Sequence, residues 1–279
     1  MARGPGSGIA APPGRRGAAQ ALDELASRCW PPLETIDLDG WRARFAQGVT
    51  RRANSVLPRH PPADLGQALE VVEHLYRARG LVSVFQMSSG ARPAGLDTVL
   101  ATRGYVRQDP TLIKTAPAVD VLAALAGPPA LRAVAVASAP SDGWLDLWWS
   151  VDGGGGAGGL QTARRIMAGC PAGYAEAWDG QGLVAVGRVA LAGPWMGIAC
   201  LAVRPDARGR GHGSRVLHRL VGWGLGQGAR RVFLQVVASN AGARRLYRAA
   251  GFRTASRYHY RVRASAPPGH PAAEAVTAP

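Results

Sequence analysis

The chain lacks several features that would assign it to common protein classes. It has one lysine, Lys114, among 33 basic residues, and its three cysteines, Cys29, Cys170 and Cys200, lie far apart. None of these spacings is typical of a metal site or a disulfide framework, so we expect neither. No apolar run approaches the ~20 residues of a membrane helix, and no signal-peptide core is present. We therefore predict a cytoplasmic protein without membrane contacts.

Acidic residues are scarce as well. The chain has 18 of them against 33 basic residues, which gives a formal net charge of +15. Such a charge is typical of nucleic-acid binders. Here, however, the arginines are dispersed, and the accompanying 37 glycines and 21 prolines indicate a GC-rich coding sequence. We expect no nucleic-acid partner. Nucleic-acid binding is kept as a third hypothesis, which failure to bind duplexes or single strands would exclude.

What the chain does have is a glycine-rich loop between two regular segments. Gly209, Gly211 and Gly213 alternate with larger residues after an apolar run, and residues 214–224 have helical spacing. Glycine lets backbone N–H groups approach a ligand, and a helix N-terminus favours an anion. The spacing matches neither a P-loop, which needs Gly-Lys-Ser/Thr, nor a dinucleotide fingerprint. The loop therefore predicts a phosphate site of another kind.

A second motif follows at a fixed distance along the chain. A β-rich apolar run precedes Asn240, a residue type that caps helices, and a short helical segment then ends at a glycine. Loop and block together resemble the GNAT superfamily of N-acetyltransferases, over about residues 130–264. The motifs that carry the resemblance are Val203-x-Pro205, Arg208-x-x-Gly211-x-Gly213 and Asn240…Tyr247…Gly251-Phe252.

The resemblance implies acetyl-CoA as co-substrate. Strand backbone before the loop would face the pantetheine arm and the thioester, the loop would hold the pyrophosphate, and Asn240 would contact the pantetheine. The residues so implied are Leu201, Ala202, Val203, Arg208, Gly209, Arg210, Gly211, His212, Gly213, Ser214 and Asn240.

The resemblance also implies direct transfer of the acetyl group to an amine. Tyr247 would protonate the departing thiolate, although its helical spacing also fits a core aromatic, and Asn240 also fits a simple helix cap. Many superfamily members carry a glutamate about eight residues before the proline, and this chain has Gly197 there. We therefore take Glu176 as the candidate base, with Asp179 as the alternative, each acting through water.

The first half of the chain carries a degenerate copy of the same pattern. Phe85-Gln86 corresponds to Leu234-Gln235, and Gly104-Tyr105 corresponds to Gly251-Phe252. A proline-rich segment, 58–62, stands in place of the glycine loop. This layout resembles the tandem acetyltransferases of actinobacteria. It implies that only the second half binds acetyl-CoA.

We expect the first half to complete a pseudo-dimer and to form one wall of the acceptor cleft. Residues 50–56 are predicted to form a strand, and Arg52 and Asn54 are candidate acceptor-site residues.

The predicted fold class is α/β, with tandem GNAT-like domains whose mixed, mostly antiparallel sheets are flanked by helices. The predicted divisions are a disordered head (1–20), a degenerate domain (21–116), a linker (117–129), the acetyltransferase domain (130–264) and a disordered tail (265–279).

The predicted function is acetyl-CoA-dependent N-acetyl transfer without a metal. The alternative is a non-catalytic acyl-CoA sensor. The acceptor, a small-molecule amine or a protein amine, stays open. The protein is expected to be a monomer with pseudo-dimeric halves or a homodimer.

Overall fold

A computed structural model describes residues 15–126, 134–152 and 158–263. These residues form a three-stranded sheet, an eight-stranded sheet and the helices that cover them. The strands are β1 (Glu34–Leu38), β2 (Trp41–Phe45), β3 (Leu57–Pro58), β4 (Val84–Ser88), β5 (Tyr105–Pro117), β6 (Val134–Ala137), β7 (Ala172–Asp179), β8 (Gly182–Ala192), β9 (Trp195–Val203), β10 (Arg231–Val237) and β11 (Arg253–Arg263). The helices are α1 (Arg15–Cys29), α2 (Leu65–Arg77), α3 (Leu96–Thr102), α4 (Ala118–Ala124), α5 (Asp142–Asp152), α6 (Gly159–Ala168), α7 (His212–Gly226) and α8 (Ala241–Ala249).

Each half of the chain contains a β–α–β unit whose strands are parallel. In the second half, β9 and β10 run parallel on either side of the crossover helix α7, and Ile198 lies opposite Leu234. In the first half, α2 connects β3 to β4, and Val56 lies opposite Phe85 in a parallel bridge. The repeat read from the sequence is therefore present as structure, in a reduced form in the first half.

The two halves exchange their last strands in the large sheet, whose order is β4-β11-β5-β10-β9-β8-β7-β6. β5 comes from the first half, yet it lies antiparallel between β10 and β11 of the second half. β11 in turn pairs with β4 of the first half. All neighbours in this sheet are antiparallel except β9 and β10, which agrees with the predicted mixed, mostly antiparallel class.

The register of this exchange has a local two-fold relation. Thr111 lies opposite Tyr258, and each is seven residues beyond the glycine that follows its helix, Gly104 or Gly251. Because a residue pairs with its own counterpart here, the pseudo-two-fold axis passes near this pair. The repeat thus fixes the geometry of the junction between the halves.

Helix α1 crosses the sheet, and a buried arginine holds its carboxyl end. Arg188 on β8 is fully buried and donates to the carbonyl oxygens of Cys29 and Met167, at 2.9 Å each. These carbonyls lie at the C-terminal ends of α1 and α6, where a cation is favoured. Arg188 therefore ties both helices to the sheet.

The structure corrects one prediction about an irregular segment, the disordered head, and describes most of the predicted linker. The predicted disordered head, 1–20, is helical from Arg15 onward, while residues 1–14 lie outside the described residues. Its Ala- and Arg-rich composition concealed an amphipathic pattern that buries Ala19 and, further along α1, Leu22. The predicted linker, 117–129, holds the end of β5 and the helix α4, with 127–129 outside the described part.

The predicted boundaries between the halves stay a prediction, since one sheet contains strands from both. The predicted tail, 265–279, lies outside the described residues. None of the helices in the described part of the chain is long and apolar enough to cross a membrane.

Candidate active site

The site is a cleft that opens where two parallel strands separate. β9 and β10 pair only as far as Ile198 and Leu234, yet β9 continues to Val203 and β10 to Val237. Beyond the last pair the strands diverge, and the space between them forms a cleft of about 1010 Å³, which we call the C-terminal cleft. A volume of this size suits a large ligand.

A β-bulge shapes the strand wall of this cleft. Val186 pairs with Ala202 and Arg188 with Ala199, so Cys200 and Leu201 together face the single residue Gly187. Cys200 has φ 54°, a left-handed value, and both bulged residues line the cleft. The indole of Trp144 donates to the carbonyl oxygen of Gly187 at 3.3 Å. The bulge bends β9 and alters which way its backbone groups point.

The glycine loop and the N-terminus of α7 form one end of the cleft. Gly209 and Gly211 have φ values of 78° and 79°, which favour glycine. The N–H of Arg215 donates to the Gly211 carbonyl, so the N–H groups of the three preceding residues have no intrahelical acceptor. The structure thus presents several N–H donors and the positive end of a helix dipole to the cleft.

His212 is the first residue of α7 and is buried beside Arg215. Its Nδ1 lies 2.9 Å from Nη2 of Arg215. Burial, followed by the charge of Arg215, lowers the pKa of His212. A neutral imidazole that accepts at Nδ1 keeps its proton at Nε2, where it is a donor.

The cleft brings together most of the residues predicted to bind the co-substrate. Ala202 and Arg210 do not line it: the Ala202 side chain is buried behind β9, and Arg210 is exposed, with its carbonyl accepting from Arg215. The predicted residues that do line it are Leu201, Val203, Arg208, Gly209, Gly211, His212, Gly213, Ser214, Asn240 and Tyr247.

Helix α8 supplies Asn240 and Tyr247 to the opposite wall. Asn240 Oδ1 accepts from the N–H of Ala243 at 3.0 Å, so this side chain is a helix cap whose amide group is left to donate elsewhere. Tyr247 is 7% exposed, packs edge-on against Phe252 at 5.9 Å between ring centroids, and lines the cleft. It is both a core aromatic and a wall residue.

The structure does not bring the candidate base Glu176 to the cleft. It lies on β7, where its carboxylate accepts from Ser141 Oγ at 2.5 Å and from the Trp178 indole at 3.3 Å. Ser141 in turn caps α5 through the N–H of Trp144. These contacts indicate a structural role, because two strands separate β7 from β10 in the sheet. Asp179, the alternative, is also absent from the described lining.

Gly197 could not carry the usual glutamate in this fold. A Cβ at this position would lie 2.7 Å from the ring of Phe233 and 3.2 Å from Cys29 of α1. The Phe233 ring of β10, together with Cys29 of α1, therefore occupies the space that a longer side chain would need. The absence of the usual base follows from packing as well as from the sequence.

The first half of the chain forms part of the cleft wall, as expected. Arg51 and Arg52 lie in a short 3-10 helix, Arg51–Ala53, and Asp109 and Thr111 lie on β5. Residues 50–56 were predicted to form a strand, and the 3-10 helix corrects that prediction. Arg51 forms an ion pair with Asp109 and donates to Gln108 Oε1 at 2.6 Å.

Asn54 is a structural residue. It is 6% exposed; its Oδ1 accepts from the N–H groups of Ala46 and Gly48, and its Nδ2 donates to the carbonyls of Val49 and Thr50. This buried network fixes the loop that carries Arg52, so Asn54 positions the wall without lining it.

Sequence reasoning missed several polar residues of the cleft, among them two tyrosines and a glutamine. Tyr258 and Tyr260 of β11 and Gln235 of β10 line it, and Tyr258 Oη donates to Gln235 Oε1 at 2.6 Å. The signal available in the sequence was a pair of tyrosines at strand spacing near the end of the chain. Only the strand exchange shows that they face this cleft. No cluster of metal-ligating side chains occurs among the described residues.

The fold and the cleft define a GNAT-superfamily N-acetyltransferase, and comparisons with known proteins agree. Residues 18–261 match the family described as probable histone acetyltransferase Rv0428c C-terminal, and the chain belongs to that family. The predicted superfamily, fold class and enzyme class are thereby confirmed.

One similar sequence is an uncharacterized N-acetyltransferase, YobR, of Bacillus subtilis. It is 30% identical over 244 residues, which cover 87% of this chain and 97% of that protein. A GCN5-related N-acetyltransferase from Kribbella flavida has a similar fold, with a TM-score of 0.66 and 17% identity over 89% of this chain and 96% of its own. A tandem GNAT protein from the clavulanic acid biosynthesis pathway matches with a TM-score of 0.56 and 15% identity over 86% of both chains.

Proposed function

We propose that the chain transfers the acetyl group of acetyl-CoA directly to a primary amine in the C-terminal cleft. The observation that carries this proposal is the single cleft that joins the glycine loop, the bulged strand and Tyr247. The loop end suits the pyrophosphate, because N–H donors, a helix N-terminus and Arg208 converge there. Arg245 also lines the cleft and adds charge for the phosphates of the co-substrate.

The reaction needs one nucleophile and one leaving group. The neutral amine attacks the thioester carbonyl carbon, a C–N bond forms, and the carbonyl oxygen becomes an oxyanion. In this proposal, backbone N–H groups of the bulged segment of β9 stabilise this charge. The C–S bond then breaks, the amine nitrogen loses a proton to solvent, and an amide and a CoA thiolate result.

Tyr247 supplies the proton that the thiolate takes up, and solvent returns one to the phenolate. A phenol of pKa ~10 that protonates a thiolate of pKa ~8.5 works uphill by about 2 kcal/mol, a small part of an enzymatic barrier. We assign no side chain as a general base, because Glu176 is outside the cleft and Gly197 has no side chain. A neutral amine can attack without one.

The test is a turnover assay with acetyl-CoA and a panel of primary amines, in which free thiol and acetylated product are both measured. Binding of acetyl-CoA is measured separately by calorimetry. We expect micromolar binding and a matched release of thiol and product. Absence of binding would reject the proposal. Binding without acetylation of any amine would favour the alternative of a non-catalytic acyl-CoA sensor.

A further inference from the structure

The described lining of the C-terminal cleft is strongly basic. Its charged side chains are four arginines and one aspartate: Arg51, Arg52, Arg208, Arg245 and Asp109. Arg208 lies in the loop and Arg245 on α8, both on the side assigned to the co-substrate phosphates. Arg51 and Asp109 neutralise each other in an ion pair. This leaves Arg52 as a cation without an assigned counter-charge.

Arg52 enters the cleft from the first half of the chain. Its guanidinium stacks over the indole of Trp30, 4.8 Å from the ring centroid. Among the described residues it forms no ion pair and no hydrogen bond. Stacking holds the guanidinium in place and leaves its edge free to form paired hydrogen bonds, a geometry that matches a carboxylate or a phosphate.

Tyr260 provides a second, independent indication of a ligand. Its side chain lines the cleft and is 4% exposed, and its hydroxyl, which lies near that of Tyr258, forms no hydrogen bond of good geometry among the described residues. A buried hydroxyl without a well-formed hydrogen bond is unfavourable, so a ligand group that reaches it would be favoured. Burial raises the pKa of Tyr260, as it does that of Tyr258, and both hydroxyls therefore stay protonated donors.

Resting on the proposed acetyl transfer, we infer that the acceptor is a small amine that also carries an acidic group, a carboxylate or a phosphate. Arg52 and the Tyr260 hydroxyl bind the acidic group, while the amine faces the thioester. A lysine-rich protein segment would instead bring positive charge to a cleft that has an unpaired arginine. The family description names a probable histone acetyltransferase; the charges of this cleft favour a different acceptor class.

The experiment compares four probes in the acetylation assay: β-alanine, O-phosphoethanolamine, β-alaninamide and a lysine-rich peptide. We expect kcat/KM for at least one acidic probe to exceed that for β-alaninamide by about 10-fold or more. The better acidic probe identifies the acidic group as carboxylate or phosphate. An equal or higher kcat/KM for β-alaninamide or the peptide would overturn the inference and leave acetyl transfer intact.

Variants test the assignment to Arg52 and Tyr260. We define the preference as kcat/KM for the better acidic probe divided by kcat/KM for β-alaninamide. In Arg52→Gln this preference should fall to about unity, chiefly because KM for the acidic probe rises. Arg52→Lys should restore part of the preference. Tyr260→Phe should reduce the preference about 3-fold or more without loss of thermal stability, because it removes a hydroxyl without a well-formed hydrogen bond. Arg107→Gln removes the same charge at an exposed β5 position outside the cleft and serves as the matched control. An unchanged preference in both Arg52→Gln and Tyr260→Phe would overturn the assignment.

Failure of the proposed function gives a different result. If the wild-type chain binds acetyl-CoA but acetylates neither the four probes nor any amine of the wider panel, the acetyl-transfer proposal fails in favour of the acyl-CoA sensor. If it acetylates other amines but neither acidic probe, the inference about the acceptor fails and acetyl transfer stands.

Discussion

The C-terminal cleft has a counterpart in the first half of the chain, and the two differ a hundredfold in volume. The counterpart, which we call the N-terminal cleft, begins where β3 and β4 separate beyond Val56 and Phe85. Leu57 and Pro58 line one side and Gln86 and Ser88 the other. Its volume is about 10 Å³, against about 1010 Å³ in the second half.

Helix α1 fills the N-terminal cleft. Asp23 accepts from Gln86 Nε2 at 3.0 Å and from Ser88 Oγ at 2.5 Å. Glu24 forms an ion pair with Arg59 at 2.6 Å. Gln86 is the counterpart of Gln235. The same glutamine position contacts helix α1 in one half, and in the other it accepts from Tyr258 and lines the open cleft.

The helix N-termini of the two β–α–β units differ in the same way. In the first half, Asp64 caps α2 by accepting from the N–H of Gln67 at 3.0 Å. A carboxylate therefore takes the place that an anion would need. In the second half, Gly211 precedes α7, and because glycine has no side chain the N–H groups at this helix terminus receive no side-chain cap. Separated parallel strands leave a gap that the chain can fill or leave open. In this protein helix α1 fills the gap in the first half, and the gap in the second half stays open.

The largest expected effect comes from separating the two halves. A chain limited to residues 130–264 lacks β5, so β10 and β11 lose the strand that pairs between them. We expect no cooperative thermal transition by circular dichroism, and we expect co-expression with residues 1–129 to restore one. A folded 130–264 fragment that binds acetyl-CoA would show that the strand exchange is dispensable.

Gly211→Glu should convert the open helix terminus into one closed to anions. The substitution places a carboxylate beside the N–H donors and a Cβ at φ 79°, so we expect acetyl-CoA to bind about 100-fold more weakly by calorimetry. Gly80→Glu is the matched control, because Gly80 has φ 65° with no atom near its Cβ position and lies outside the cleft. Equal weakening in both variants would indicate a general loss of structure.

Tyr247→Phe tests the chemistry of the open cleft. Loss of the phenol should lower kcat by about 100-fold with little change in the affinity for acetyl-CoA, since only the proton donor is removed. Tyr76→Phe is the control in the first half: its buried hydroxyl donates to the Arg44 carbonyl at 3.0 Å, and its loss should cost about 1 kcal/mol of stability with kcat retained. Full kcat in Tyr247→Phe would remove the general-acid role.

The smallest effect concerns Asp23 in the filled cleft. Burial raises the pKa of Asp23 to about 6, above its ordinary value of 3.8. The folded state thus favours the protonated form of Asp23. The contribution of Asp23 to stability is therefore full below pH 4 and is lost as the pH rises through 6, by roughly 3 kcal/mol at most. Asp23→Asn should flatten this change in urea titrations at pH 4 and pH 8. Its affinity for acetyl-CoA should equal that of the wild type. A pH profile unchanged by the substitution would contradict this account.

Several elements followed from local sequence alone. Val216, Leu217, Leu220 and Val221 share a face of α7 and are fully buried, as their spacing predicts. The glycine loop and the Asn240 cap were likewise local patterns. Helix α1 was not predicted, because its Ala- and Arg-rich start resembles a disordered head. The sequence could not show that Glu176 has a structural role, because its hydrogen bond with Ser141, 35 residues away, has no local signal.

The sequence by itself determined the superfamily, the loop that suits a phosphate and the fact that only one half has that loop. These features depend on residue type and spacing over short stretches, where backbone geometry and helix capping act. The tertiary structure decided which residues of the first half and of β11 line the cleft. Arg52, Tyr258 and Tyr260 meet only because the halves exchange strands. It also decided that α1 fills one cleft and leaves the other open, because packing between distant segments determines which gaps remain.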